Sequence, residues 1–203
     1  MRWPAAATDS TGSRRWGNVS AILPQVRGPL LSGPLGSAAT VETIARRIAG
    51  HGPILVIGPG WLGTTLAAAT PVMALFEPEQ RSAAKKASRQ AAKAGLCYQA
   101  ALAGPELPLP GGVLSCVVVE GAADLDEAVL RAWIANLGRG LRPGGILVAV
   151  DATDDGAVEA RVAGAFLAAA LTNIDQERPR QEVLLTTAVA PPAVVTAARF
   201  ADS

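Results

Sequence analysis

The residues with the clearest chemical potential are Gly58-Pro59-Gly60-Trp61-Leu62-Gly63 and, 19 residues after Gly58, Glu77. The glycine run follows a short apolar run, Ile54-Leu55-Val56-Ile57, and opens a helical stretch. In that context a glycine loop can bring its backbone against a nucleotide. Gly58 permits the tight turn, and Gly60 removes the side chain that would hold a ligand away. Glu77 ends a second apolar run, Val72 to Phe76, so a parallel sheet sets it on the same rim as the loop. A carboxylate there can accept hydrogen bonds from both hydroxyls of an adenosine ribose. The same glycines would also suit a turn that packs helix against sheet and binds nothing.

Composition narrows the chemistry by exclusion. The chain has 203 residues, of which half are hydrophobic, 4% aromatic and 17% charged. Alanine accounts for 41 of them, about a fifth. Such a chain can bury a sizeable core, and its apolar content is too high for general disorder. Two cysteines and one histidine, His51, leave no four-cysteine or multi-histidine metal site, so no metal is expected. A net charge of +1 argues against a nucleic-acid binder. The stretch from Ile48 to Phe76 lacks formal charge, but Gly50, Gly52, Pro53, Gly58, Pro59, Gly60, Gly63 and Pro71 interrupt it, so no transmembrane segment is expected. Met1 to Asn18 carries three arginines without an apolar run, which argues against a secretory signal.

The elements that must position the loop follow from hydrophobic periodicity. A helix is expected over Thr40 to Ala49, then strands at Ile54–Ile57 and Val72–Phe76, with a helix from Thr64 to Ala69 between them. Pro78 starts a helix that runs to about Gly95. Strands follow at Leu96–Ala100 and Leu114–Val119. Asp124 and Glu127 suggest a capping box opening a helix whose inner face carries Leu125, Ala128, Val129, Ala132, Trp133 and Leu137. Arg142-Pro143-Gly144-Gly145 reads as a turn before a strand at Ile146–Val150, and a helix over Ala157–Ala170 follows. A final antiparallel pair, Thr172–Glu177 and Glu182–Ala188, turns at Pro179. Alternating strands and helices predict an α/β fold: a doubly wound, Rossmann-like, mainly parallel sheet of seven strands with a C-terminal antiparallel hairpin. Residues 1–38 read as a partly disordered extension, 39–190 as the domain and 191–203 as a tail. Residues 1–52 carry six arginines against two acids, which makes the extension a candidate protein-binding element.

Two later segments separate the nucleotide-binding families that share such a loop. Glu106-Leu107-Pro108-Leu109-Pro110-Gly111-Gly112-Val113-Leu114 precedes strand four, and Leu137-Gly138-Arg139-Gly140-Leu141-Arg142-Pro143-Gly144-Gly145-Ile146-Leu147 leads into strand five. Together with the terminal hairpin they resemble class I S-adenosylmethionine-dependent methyltransferases, type 11-like, with degenerate motifs. The resemblance covers about residues 40–190, and Leu141-Arg142-Pro143-Gly144-Gly145 is its most specific part. It implies S-adenosyl-L-methionine as cofactor and methyl transfer to a small-molecule or lipid-like acceptor. It further implies a cofactor site of Gly58, Gly60, Trp61, Glu77, Ala101 and Leu102. The segment Glu120-Gly121-Ala122-Ala123 then faces the methyl group, with Glu120 the candidate base, although methyl transfer does not always require one.

The chain also departs from that pattern. Val56 and Ser115 stand where the family usually has acids, Ala100 and Ala101 where an acid is common, and the third glycine is Gly63 rather than position 62. Two alternatives therefore stay open: a catalytically inactive scaffold on the same fold, and an NAD(P)-binding enzyme using the same loop. Asn18 to Pro24 and the Gly-Pro-Gly of the loop faintly resemble phospholipid N-methyltransferases. Trp61 is expected to cover the cofactor or shield the loop, and Trp133 to join the core. Cys97 and Cys116, on non-adjacent strands, are expected to be free core thiols, which fits a reducing, cytoplasmic setting. His51 reads as a helix-end group. Arg81, Lys85, Arg89 and Lys93, with Lys86 beside them, read as a solvated basic stripe.

Overall fold

In the computed structural model, which describes residues 34–58, 61–103, 109 and 111–192, Ile54–Ile57 forms β1, the centre of a seven-stranded sheet. Four consecutive apolar residues suit a strand covered on both faces. β1 pairs in parallel with β2 (Val72–Phe76) on one side and β4 (Leu114–Glu120) on the other. β3 (Tyr98–Leu102) extends the sheet beyond β2, and β5 (Leu141–Ala152) extends it beyond β4. β6 (Thr172–Arg180) and β7 (Val183–Val189) then close it as an antiparallel pair, giving the order β3-β2-β1-β4-β5-β7-β6. The doubly wound sheet with a C-terminal hairpin is the expected architecture.

Alternating side chains build a separate core on each face. Ile54 and Val56 join Val118, Val148 and Val150 on one face, beneath α1 (Ala38–Ile48), α2 (Trp61–Leu66) and α3 (Arg81–Lys93). Leu55, Val117, Val119, Leu147 and Ala149 face the other side, beneath α4 (Glu127–Gly140) and α5 (Gly156–Ala168). Ser37 caps α1 by accepting the amide of Thr40 at 3.2 Å. Arg47 ties the C-terminal end of α1 to the sheet edge through Asp175 and Glu177 of β6.

Arg142–Gly145 is not a turn before the strand but lies inside β5, where the pairing with β4 shifts register between Leu114 and Cys116. Gly144 has φ +73°, and a Cβ on Gly145 would lie 2.9 Å from the carbonyl oxygens of Arg142 and Leu114. Only glycine lets β5 pass through that irregularity against β4.

Several boundaries differ from the sequence expectation. α4 begins after Asp126, not at Asp124, because Gly121 at φ +80° turns Ala122–Asp124 into a short 3-10 turn first. Its inner face carries Leu130, Ile134 and Leu137, whereas Val129 is 51% exposed and Ala128 and Ala132 are exposed too. Alanines widen the apolar stripe in sequence, and the bulkier side chains decide which part of it is buried. Trp133 is only partly buried against that core. α2 starts at Trp61 rather than Thr64, and α5 ends at Ala168. β3 begins at Tyr98, so Cys97 precedes it and is exposed rather than a core thiol, while Cys116 is buried. Pro179 lies inside edge strand β6, where a missing N–H is tolerated, and the turn falls at Gln181–Glu182.

No helix among the described residues is long and apolar enough to cross a membrane. The reassigned face of α4 has a direct check. Ile134→Ala should cost about 2–5 kcal/mol by cavity formation. Val129→Ala should stay within about 0.5 kcal/mol in urea denaturation.

Candidate active site

The loop after β1 and the end of β4 meet at the sheet's carboxyl rim. Gly58 has φ +142°, and a Cβ placed on it would lie 2.8 Å from the Cβ of Glu120. Any side chain at 58 would therefore push the loop off β4. Trp61, at the start of α2, donates its indole Nε1–H to Oε1 of Glu120 at 3.2 Å. The Trp61 carbonyl in turn accepts the hydroxyls of Thr64 and Thr65, both at 2.9 Å. The ring is partly buried against the core beneath α1 and α2. Trp61 thus joins loop, helix and β4. Pro59 and Gly60 lie outside the described residues.

Glu120 is the chemically unusual group. Its Oε2 is buried without a hydrogen-bond partner among the described residues. Burial pushes its carboxyl up to about 7; the Trp61 hydrogen bond opposes the rise, and the nearby charge of Asp151 adds to it. A carboxyl that titrates near neutrality can exchange a proton with a bound ligand.

The other expected residues share the rim without touching Glu120. Glu77 follows β2 and is exposed, and its backbone amide donates to Oε1 of Gln80 at 3.3 Å. Leu102 ends β3 level with Phe76 and is 37% exposed. Ala101 is partly buried against the second core, so its side chain is largely committed to packing. Gly63 is likewise a packing glycine: its Cβ would meet Tyr98 at 3.2 Å and Ala74 at 3.3 Å. Val56 is buried in the first core. The Ser115 hydroxyl donates to the carbonyl of Pro53 at 3.1 Å, which ties the starts of β4 and β1 together.

Sequence reasoning missed Asp151 and Arg161. Asp151 is completely buried in β5, and its Oδ1 accepts the amide of Ala123 at 2.7 Å. Burial pushes it up to about 6, opposed by the Ala123 hydrogen bond. Arg161 of α5 donates to the carbonyls of Leu125, at 2.9 Å, and of Ala123. An acid directly after Ile146–Val150 was the available signal, but ending the strand at Val150 set Asp151 outside it. His51 follows α1, its amide bonded to the Ile48 carbonyl at 3.1 Å. Lys85, Lys86, Arg89 and Lys93 are exposed on the outer surface of α3. No group of three or more His, Cys, Asp or Glu among the described residues could hold a metal ion.

Neither a family model nor a curated protein sequence matches the chain. Solved structures share its fold at low identity. The S-adenosylmethionine-dependent methyltransferase SibL, in its apo form, is 15% identical over 76% of this chain and 55% of its own, with a TM-score of 0.64. The [4+2]-cyclase SpnF is 14% identical over 75% and 80%, with a TM-score of 0.62. An O-methyltransferase family 2 protein from Planctomyces limnophilus, in complex with apigenin, is 14% identical over 89% and 63%, with a TM-score of 0.62. The chain spans about half the length of SibL. It has the fold these proteins share, and SpnF illustrates that the fold alone does not dictate the reaction.

The raised Glu120 carboxyl has a consequence for stability. Above about 7 the folded state must carry a buried charge. Acidification toward the ordinary carboxyl range relieves that cost, so the wild type gains stability as pH falls from about 7. Glu120→Gln keeps the acceptor for Trp61 without the charge. It should be more stable than wild type at pH 8, by on the order of 2 kcal/mol. That advantage should vanish near pH 4 in paired denaturation curves.

Proposed function

We propose that the rim formed by Gly58, Trp61, Glu77 and Glu120 binds S-adenosyl-L-methionine and directs methyl transfer to a small-molecule or lipid-like acceptor, in the manner of type 11-like enzymes, with Gly60 of the loop sequence also contributing. The observation that carries the reading is the meeting of the Gly58 loop with the partly buried Glu120, whose Oε2 is buried and without a partner among the described residues, where β1 and β4 end side by side. Strand order reverses there, which is where open α/β sheets take their ligands. The cofactor brings a cationic sulfonium and an ammonium, and the free Oε2 of Glu120 suits a cation. The exposed carboxylate of Glu77 would hold the ribose hydroxyls, and Leu102, with Ala101 behind it, would border the adenine.

S-adenosylmethionine, when bound, supplies an electrophilic methyl group bonded to sulfur. The chain's task is then to align the acceptor, exclude water and take up a proton where the acceptor loses one. Glu120 is the group placed for that last role. With the cofactor bound, Glu120 or solvent would take up the proton the acceptor gives up, and the cofactor would supply the methyl group and be left as S-adenosylhomocysteine. An acceptor that is not nucleic acid fits the chain's small net charge of +1. A cytoplasmic setting fits the free thiols Cys97 and Cys116.

A second reading, a scaffold that binds no cofactor, draws on Val56 and Ser115, which serve packing where the family usually has acids. A third reading, an NAD(P) site, draws on Gly63, which packs α2 closely against the sheet as the third glycine of a dinucleotide loop does; the antiparallel β7 beside β5 favours the methyl-transfer reading over it. Millimolar S-adenosylhomocysteine should raise the melting temperature, since a ligand that binds only the folded state must do so. Glu77→Ala should weaken its binding about tenfold, the loss of one or two hydrogen bonds. A folded sample with no thermal shift would favour the scaffold, and a shift with NADH alone would favour the dinucleotide reading.

A further inference from the structure

The helix α3 carries five cations, Arg81, Lys85, Lys86, Arg89 and Lys93, and no acid. The whole chain has 18 basic and 17 acidic residues, so outside this helix 13 basic residues stand against 17 acidic ones. Helical geometry sets the five cations within about 140° of the circumference and spreads them over about 18 Å of length. All five are exposed, whereas Ala84, Ala87 and Ala91, on the opposite side, are buried. The basic face therefore points straight out from the sheet.

This charge pattern works against the helix. Arg81–Lys85, Lys85–Arg89 and Arg89–Lys93 are like-charge pairs four residues apart, and Lys86–Arg89 is one three apart. Arg81 also stands in the first turn, at the positive end of the helix dipole. None of the five joins a salt bridge among the described residues. The buried side offers only alanines in return. Acids at some of these positions would serve a merely covering helix better. Repulsion kept without a structural return points to a surface that meets opposite charge.

The shape of the face narrows what carries that charge. It is the convex side of one helix, and Ser82 and Ala92 are the exposed residues among the cations. A protein partner is held by aromatic or aliphatic anchors, and a single-stranded nucleic acid by aromatic stacking; this face has neither. A lipid surface asks only for charge, and clusters of four or more Lys and Arg on a helix suit anionic headgroups. We propose that the basic face of α3 docks the protein on an anionic lipid surface, without insertion. α3 begins at the carboxyl rim, four residues after Glu77, so one end of the docked stripe lies beside the candidate site. The docking itself does not depend on the methyl-transfer reading.

Sedimentation of the full chain with vesicles tests it. Vesicles of phosphatidylcholine and phosphatidylserine at about 7:3 should carry the protein down at low salt, and high salt should release it. Vesicles of phosphatidylcholine alone should not bind it. Lys85→Glu turns two like-charge pairs into ion pairs, with Arg81 and Arg89. It should raise the melting temperature by about 2 °C or more. The same change should weaken vesicle binding at least tenfold, each charge counting for about fivefold. Lys85→Gln, with half the charge change, should fall between. Arg142→Glu makes the full change on an exposed residue of β5 and should leave binding within about twofold. Loss of binding in the more stable variant cannot come from unfolding. Equal weakening by Lys85→Glu and Arg142→Glu would overturn the proposal, since net charge alone would then account for the attraction. Binding that ignores phosphatidylserine would overturn it too, as would tighter binding to a short single-stranded RNA than to the anionic vesicles. No cofactor enters these measurements, so their failure is distinct from failure to bind S-adenosylhomocysteine.

Discussion

The approach of Gly58 to Glu120 is the constraint on which the site depends. Only a residue without a Cβ lets the loop after β1 lie against the end of β4, with 2.8 Å separating a notional Cβ from that of Glu120. That contact brings Trp61 into reach of the carboxyl, and the indole hydrogen bond then fixes which oxygen remains free. The approach also keeps water away from Glu120, and the resulting desolvation lifts its proton affinity. One missing methyl group thereby links loop conformation, aromatic placement and acid strength.

The surrounding sheet supplies rigidity around this polar point. Branched aliphatic side chains fill both faces of β1, β4 and β5, while alanines occupy much of the outer surface of α4. Against that apolar background two acids, the partly buried Glu120 and the fully buried Asp151, stand out as costs to folding. Both are pushed up by burial, and both sit where β4 and β5 emerge at the carboxyl rim. Placing stability-reducing groups together at a topological switch point is the expected arrangement for a site whose chemistry outweighs its contribution to the fold.

Much of the architecture was legible because periodicity and breakers act locally. The continuous runs at Ile54–Ile57 and Val72–Phe76 gave strands with those bounds, whereas the Pro-Gly-Gly segment expected as a turn lies within β5, at a register shift that glycine geometry demands. The face of α4 was misread because alanine is compatible with core and surface alike, so only tertiary packing selects Leu130, Ile134 and Leu137. For the candidate site, the strand-end positions of Gly58, Glu77 and Glu120 were legible because each ends or follows an apolar run. Asp151 and Arg161 were not: their partner is the backbone of Ala123, and that pairing across 28 and 38 residues leaves no trace in spacing. The departures from the family pattern also became physical. Val56 and Ser115 hold the core and the strand starts together rather than facing a ligand.

The central claim is that the junction of the Gly58 loop, Trp61 and Glu120 is where a ligand binds. Titrating S-adenosylhomocysteine into isotopically labelled protein while following the Trp61 indole and the Gly58 amide tests it most directly. The account predicts that both resonances move together and saturably as ligand is added. Saturable binding that moves neither of them, or a folded protein that shows no change at millimolar ligand, would contradict it.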